Sequence, residues 1–149
     1  MPLDDSLIIN HPDTGFISVS GDDACAFLQS IITANVETLP VSACRPSALL
    51  TPQGRVLIDM MVYRPATARF ILRCDSVRRD DLFARLSRYR LRRPVEIAIE
   101  PSIRLYLLIA KKAANQSGKQ TAGQIIDQLE KSAGVIMSCI DPRNPDLGT

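Results

Sequence analysis

Tryptophan is absent from this chain, and histidine occurs once. His11 stands in a polar opening segment with no evident partner, which leaves neither a Ser/His/Asp triad nor a histidine-rich metal site with support. Only seven residues are Tyr or Phe, so the core must be built from aliphatic side chains. Cysteine is sparse and dispersed: Cys25, Cys44, Cys74 and Cys139 form no C-x-x-C pair. That spacing excludes the common zinc and redox motifs. In a cytosol-like compartment the four are expected to be reduced, small and buried, with a reactive thiol or cluster ligand as the alternative. No apolar run reaches the 18 or more residues of a membrane-spanning helix. The opening Met1-Pro2-Leu3-Asp4-Asp5 is acidic where a signal peptide is basic and apolar. The expected location is cytoplasmic, or the mitochondrial matrix if the source is eukaryotic. A net charge of +2 is too small to argue for nucleic acid as a partner.

What is present is patterned as an ordinary globular domain, with 46% hydrophobic and 23% charged residues. Gly15 to Val19 reads as a strand. Ser20-Gly21-Asp22 supplies turn and capping chemistry for a helix whose apolar face is Ala24, Phe27, Leu28 and Ile31. The apolar runs Ala43 to Leu50 and Val56 to Tyr63 flank Thr51-Pro52-Gln53-Gly54, which predicts a hairpin. Phe70 to Cys74 is a further strand. Asp75 or Ser76 caps a second helix with Leu82, Phe83, Leu86 and Tyr89 on its inner side. Val95 to Ile99 and Ile103 to Ile109 read as strands. Lys111 to Gln120 reads as a loop, then a helix from Thr121 to Leu129 with capping-box spacing, then a strand Val135 to Ile140. This order predicts an α+β fold with a mixed or antiparallel sheet and helices packed on it. Pro101 marks a possible subdomain boundary. Asp141 to Thr149 is linker-like, which suggests a fragment or a truncated relative.

Three groups of residues stand out. Along the strand from Val56, side chains alternate between faces. Val56, Ile58, Met60 and Val62 give an apolar face; Leu57, Asp59, Met61 and Tyr63 give the other. A strand apolar on both faces is expected to be buried on both, making Asp59 a semi-buried carboxylate. Such a group is either paired within the sheet or part of a ligand site. Next come seven arginines, Arg78, Arg79, Arg85, Arg88, Arg90, Arg92 and Arg93. They form either a solvated helix face or an anion site; no aromatic interleaving suits them to stacking on bases. Last, Gln29, Thr33 and Asn35 follow the first helix as caps or as pocket lining.

Gly21-Asp22-Asp23-Ala24 with Phe27-Leu28-Gln29, Thr33-Ala34-Asn35-Val36 and Leu49 to Asp59 together resemble the folate-binding family related to the glycine-cleavage T-protein (aminomethyltransferase). Arg88 to Arg92, Asp141-Pro142-Arg143 and Leu147-Gly148 fit its YgfZ-type branch, which assists iron–sulfur cluster assembly. The resemblance implies a T-protein N-terminal-like fold, incomplete. It implies a folate-binding-type region over residues 1–100 and, over 101–149, part of an adjoining region ending in a cut linker. It also implies a tetrahydrofolate cofactor. Asp59 would meet its amine nitrogens, Leu50, Met61 and Tyr63 would line its pocket, and Asn35 would make a weaker helix-end contact. Arginines near the second helix would meet its glutamate tail. The aminomethyltransferase relatives carry an acidic pair where this chain has Ile58 and Asp59, so the sequence does not settle whether the protein is an enzyme and leaves catalytic residues unknown. The branch's Lys-Gly-Cys motif is absent, so none of the four cysteines inherits its role, and no metal is expected in this chain. The implied function is an accessory factor for iron–sulfur cluster assembly or repair, with assembly or client proteins as partners. The alternatives are an aminomethyltransferase-like fragment and a ligand-free interaction module.

Overall fold

The computed structural model describes residues 6–110. In chain order these form β1 (Ser6–His11), β2 (Thr14–Ser20), α1 (Ala24–Ile31), β3 (Cys44–Leu50), β4 (Val56–Ala66), β5 (Arg69–Asp75), a 3-10 turn (Ser76–Arg78), α2 (Arg79–Arg90), β6 (Glu96–Ile99) and β7 (Leu105–Ala110). The helix and strand expected over residues 121–129 and 135–140 lie outside the described residues, as does the loop before them.

A five-stranded sheet in the order β3-β4-β5-β2-β6 organises the fold, and every pairing in it is antiparallel. The expected α+β class is therefore borne out, with the antiparallel form of the sheet. The hairpin is where the sequence puts it: Gly54 N–H donates to the Thr51 carbonyl at 2.9 Å, and Thr51 N–H to the Arg55 carbonyl at 2.8 Å. Separately, β1 pairs with β7 in a two-stranded sheet. β1 was not expected from the sequence. Its apolar residues are few and do not alternate, and its partner is almost a hundred residues away.

One face of the sheet carries the core. Ile17 and Val19 of β2, Leu49 of β3, Ile58, Met60 and Val62 of β4, and Phe70, Leu72 and Cys74 of β5 point to it. Phe27 and Leu28 of α1 and Leu82 and Leu86 of α2 close it from above. Helix α1 has eight residues, too few to be stable alone, so packing holds it. Asp75 caps the 3-10 turn as expected, accepting from Val77 N–H at 3.0 Å. Tyr89, placed by its spacing on the inner side of α2, is instead 42% exposed. α2 is short of core contact in its last turn, and the arginines around Tyr89 keep that end in water.

Two glycines serve different needs. Gly54 in the hairpin turn has φ +82, and a side chain there would meet open space. Gly21 has φ +120, and a Cβ there would lie 2.6 Å from the Pro94 carbonyl oxygen. Gly54→Ala should therefore lower stability by roughly 1–2 kcal/mol, the conformational cost alone. Gly21→Ala should cost clearly more, because Pro94 must also move. Urea denaturation of both variants checks this ordering.

Candidate functional site

The face of the sheet turned away from the core is the candidate site. On β4 it presents Asp59, Met61 and Tyr63, two residues apart, while Ile58, Met60 and Val62 point to the core. In the register, Ala48 of β3 lies beside Asp59, Pro46 beside Met61, and Cys44 beside Tyr63. On the other side, Arg73 of β5 lies beside Met61 and Ile71 beside Tyr63. Phe16 of β2 follows Arg73 in the same row. Phe16, Met61 and Ile71 are buried, yet they do not belong to the core cluster under the helices. The expectation that β4 is apolar and buried on both faces thus holds at Met61, which is only 1% exposed.

It fails at Asp59, which is exposed rather than semi-buried. The register between β3 and β4 slips between Leu49 and Leu50, so Leu57 becomes an extra residue and the strand bends there. Asp59 sits next to that bend, toward the turn end of the hairpin, where Val56, expected on the core face, is instead 64% exposed. Leu50, whose partner is Val56, lies beyond it and is 36% exposed. Among the described residues Asp59 has no ion-pair partner.

Arg73 was not singled out in the sequence. It is half-buried, also without an ion pair among the described residues, and flanked by Met61 and Phe16. Its register makes it a diagonal neighbour of Asp59, a relation that spans about 7–8 Å between Cα atoms. A lone arginine inside the apolar run Phe70-Ile71-Leu72-Arg73-Cys74 was the signal that could have found it.

The loop after α1 reaches the outer edge of β3. Thr33 N–H donates to the Ala48 carbonyl at 3.0 Å, and Ala48 N–H donates to Thr33 Oγ1 at 2.9 Å. Gln29 Oε1 accepts from Val36 N–H at 2.8 Å. Asn35 Oδ1 accepts from Thr38 N–H at 3.3 Å, and Arg45 donates to the Asn35 carbonyl and to Thr38 Oγ1. Of the two readings of this segment, capping is the one these bonds support. Among the described residues no hydrogen bond engages the Asn35 amide N–H groups.

The arginine run is largely spoken for. Arg78 Nη2 donates to the Leu57 carbonyl at 2.7 Å, closing the bend in β4. Arg79 pairs with Asp80 and Arg85 with Asp81. Arg93 lies 3.6 Å from Asp23 and over the ring of Phe27. Exposed pairs of this kind stabilise by under about 1 kcal/mol each, so their role is mainly to set geometry. Arg88 and Arg92 are exposed and unpaired among the described residues.

Two depressions lie on the surface of the described residues. One, of about 380 Å³, is lined by Asn10, Thr14, Phe16, Arg79, Glu100 and Arg104 among others. The second, of about 510 Å³, runs from Ser20 and Gly21 to the segment Arg90 to Glu96. Asp59, Leu50, Met61, Tyr63 and Asn35 line neither; the first meets the candidate face at Phe16. Among the described residues no three His, Cys, Asp or Glu side chains gather as a metal site, and no helix is long and apolar enough to cross a membrane.

The cysteines divide. Cys25 and Cys74 are free thiols, as expected, but Cys44 is disulfide-bonded, which corrects the expectation of four reduced cysteines. Burial pushes the Cys74 thiol up to about 11; Asp75 and, more weakly, Asp59 add to the rise against the opposing pull of Arg79.

The family model described as the GCVT N-terminal domain matches residues 6–103. The chain is similar to the mitochondrial iron-sulfur cluster assembly factor IBA57 homolog of Neurospora crassa, at 30% identity over 139 residues, covering 89% of this chain and 31% of the relative. It is similar to the mitochondrial iron-sulfur cluster assembly factor IBA57 of Homo sapiens at 29% identity over 145 residues, covering 89% and 38%. The chain thus spans about a third of the length of these relatives. Among solved structures, the glycine cleavage system aminomethyltransferase T of Bartonella henselae shares the fold with a TM-score of 0.60 at 22% identity, over 64% of this chain and 26% of that one.

The Cys74 thiol has a pH signature. In the unfolded chain it ionises near 9.0, whereas in the fold it keeps its proton to about 11. Between those values the folded state binds more protons, so stability falls as pH rises through this window and the contribution is intact below it. Cys74→Ala should flatten that part of the pH–stability curve relative to wild type, as read by denaturation at pH 8 to 11.

Proposed function

Because this chain belongs to the GCVT N-terminal domain family, we propose that it is part of a tetrahydrofolate-binding accessory factor for iron–sulfur cluster assembly or repair. The single observation that carries the folate part is the exposed Asp59, without an ion pair among the described residues, on a sheet face that it shares with Met61, Tyr63 and Leu50. A carboxylate accepts hydrogen bonds from amine N–H groups, and apolar neighbours give a flat ring a surface to rest on. The donor set therefore fits a reduced folate. Asp59 orients the amine nitrogens, Tyr63 forms the floor with the enclosed Met61 backing it from below, and Leu50 forms the rim. Arg73, half-buried one diagonal step away, supplies the cation for an anionic or carbonyl group of the ligand. Asn35 contributes its amide N–H groups from the loop.

The iron–sulfur part rests on the similarity to IBA57-type assembly factors, and assembly or client proteins are the partners it implies. Their mitochondrial names favour the matrix over the cytoplasm as the location. One-carbon transfer is disfavoured: Ile58, at the first position of the acidic pair in the aminomethyltransferase relatives, packs in the core.

Calorimetric titration with tetrahydrofolate tests the site. Asp59→Asn should weaken binding about tenfold, equal to about 1.4 kcal/mol. Its unfolding free energy should stay within about 0.5 kcal/mol of wild type, because the side chain is exposed. Unchanged affinity in this variant would remove Asp59 from the proposal.

A further inference from the structure

Leu91 occupies a backbone position suited to glycine. Arg90-Leu91-Arg92-Arg93 forms a β-turn closed by Arg93 N–H donating to the Arg90 carbonyl at 3.1 Å. Leu91 has φ 53 and ψ −117, the first central position of a type II′ turn, where a side chain strains the backbone. Among the described residues Ser42 is the other non-glycine with positive φ. The strain at Leu91 is not offset by burial, since the residue is 83% exposed. A strained conformation that gains nothing inside the fold points to use outside it.

The turn is held rigidly from behind. Gly21 fits against the Pro94 carbonyl, Arg93 is tied to Asp23 and lies over Phe27, and Arg90 Nη1 donates to the Val95 carbonyl. Leu91 is thereby presented without the ordering cost of a loose loop. Around it stand exposed Arg88 and Arg92, unpaired among the described residues, and half-exposed Tyr89.

We propose that the Arg88–Arg92 turn docks an acidic protein surface whose apolar pocket receives Leu91. The arginines supply charge complementarity and speed encounter, and the leucine supplies the anchor. Leucine offers no face for stacking on bases, and two apolar side chains are a small area for holding a membrane surface. This surface shares no residue with the Asp59 face, so the two proposals fail independently.

Fluorescence anisotropy of the 149-residue chain with a dye-labelled acidic amphipathic peptide, Glu and Asp with Leu at every third or fourth position, tests it. Leu91→Gly should weaken binding at least fivefold while its thermal midpoint stays level or rises, because the strain is relieved. A merely structural leucine would not separate those two readouts. Arg92→Glu should weaken binding to a similar degree. Three results would each overturn the proposal: no peptide binding; equal binding by Leu91→Gly or by a peptide with Leu replaced by Gln; or binding only to phosphatidylglycerol vesicles or polyuridylate.

Discussion

Strand β4 is held between two antiparallel neighbours, and that pairing sets the direction of every side chain along it. Ile58, Met60 and Val62 must face the helices, because they complete the aliphatic core. Asp59, Met61 and Tyr63 must then face the other way. A slip of one residue would bury the carboxylate under α1 and α2 and expose three apolar side chains. The register therefore protects the core and builds the candidate site at once. The bend at Leu57 modulates this: it leaves Met61 enclosed while Asp59 reaches water.

Charges on the periphery maintain this arrangement more than they stabilise it. Arg78 satisfies the carbonyl that the bend in β4 leaves open. Arg45 and the Gln29 and Asn35 side chains satisfy the backbone of the loop that runs along the β3 edge, and Thr33 Oγ1 accepts from Ala48 N–H of β3 itself. Arg93 ties the end of the α2 segment to the start of α1. A chain with no tryptophan and few aromatics gains little from large rings, and arginine takes over some of that role. Arg64 lies over Phe70 and donates to the Leu39 and Thr67 carbonyls.

Local pattern carried much of the fold. Thr51-Pro52-Gln53-Gly54 between apolar runs specified the hairpin, and the spacing of Ala24, Phe27 and Leu28 specified α1, because turn chemistry and periodicity act over a few residues. Tyr89 shows where periodicity ends: the spacing put it inside, but the helix runs past the core before reaching it. β1 had no local signature, since its partner β7 is remote in sequence. The arginine run was legible as composition only; which members are engaged depends on where Asp23, Asp80, Asp81 and the Leu57 carbonyl come to lie.

Asp59 shows the division most clearly. The sequence by itself determined its face, because side chains alternate along any strand, and it determined that its neighbours on that face are Met61 and Tyr63. Its exposure was decided by the tertiary structure, since a register slip between β3 and β4 depends on how two strands meet. The company of Arg73 was decided there as well. An arginine on β5 becomes a neighbour of β4 only through cross-strand pairing, and no local pattern encodes that contact.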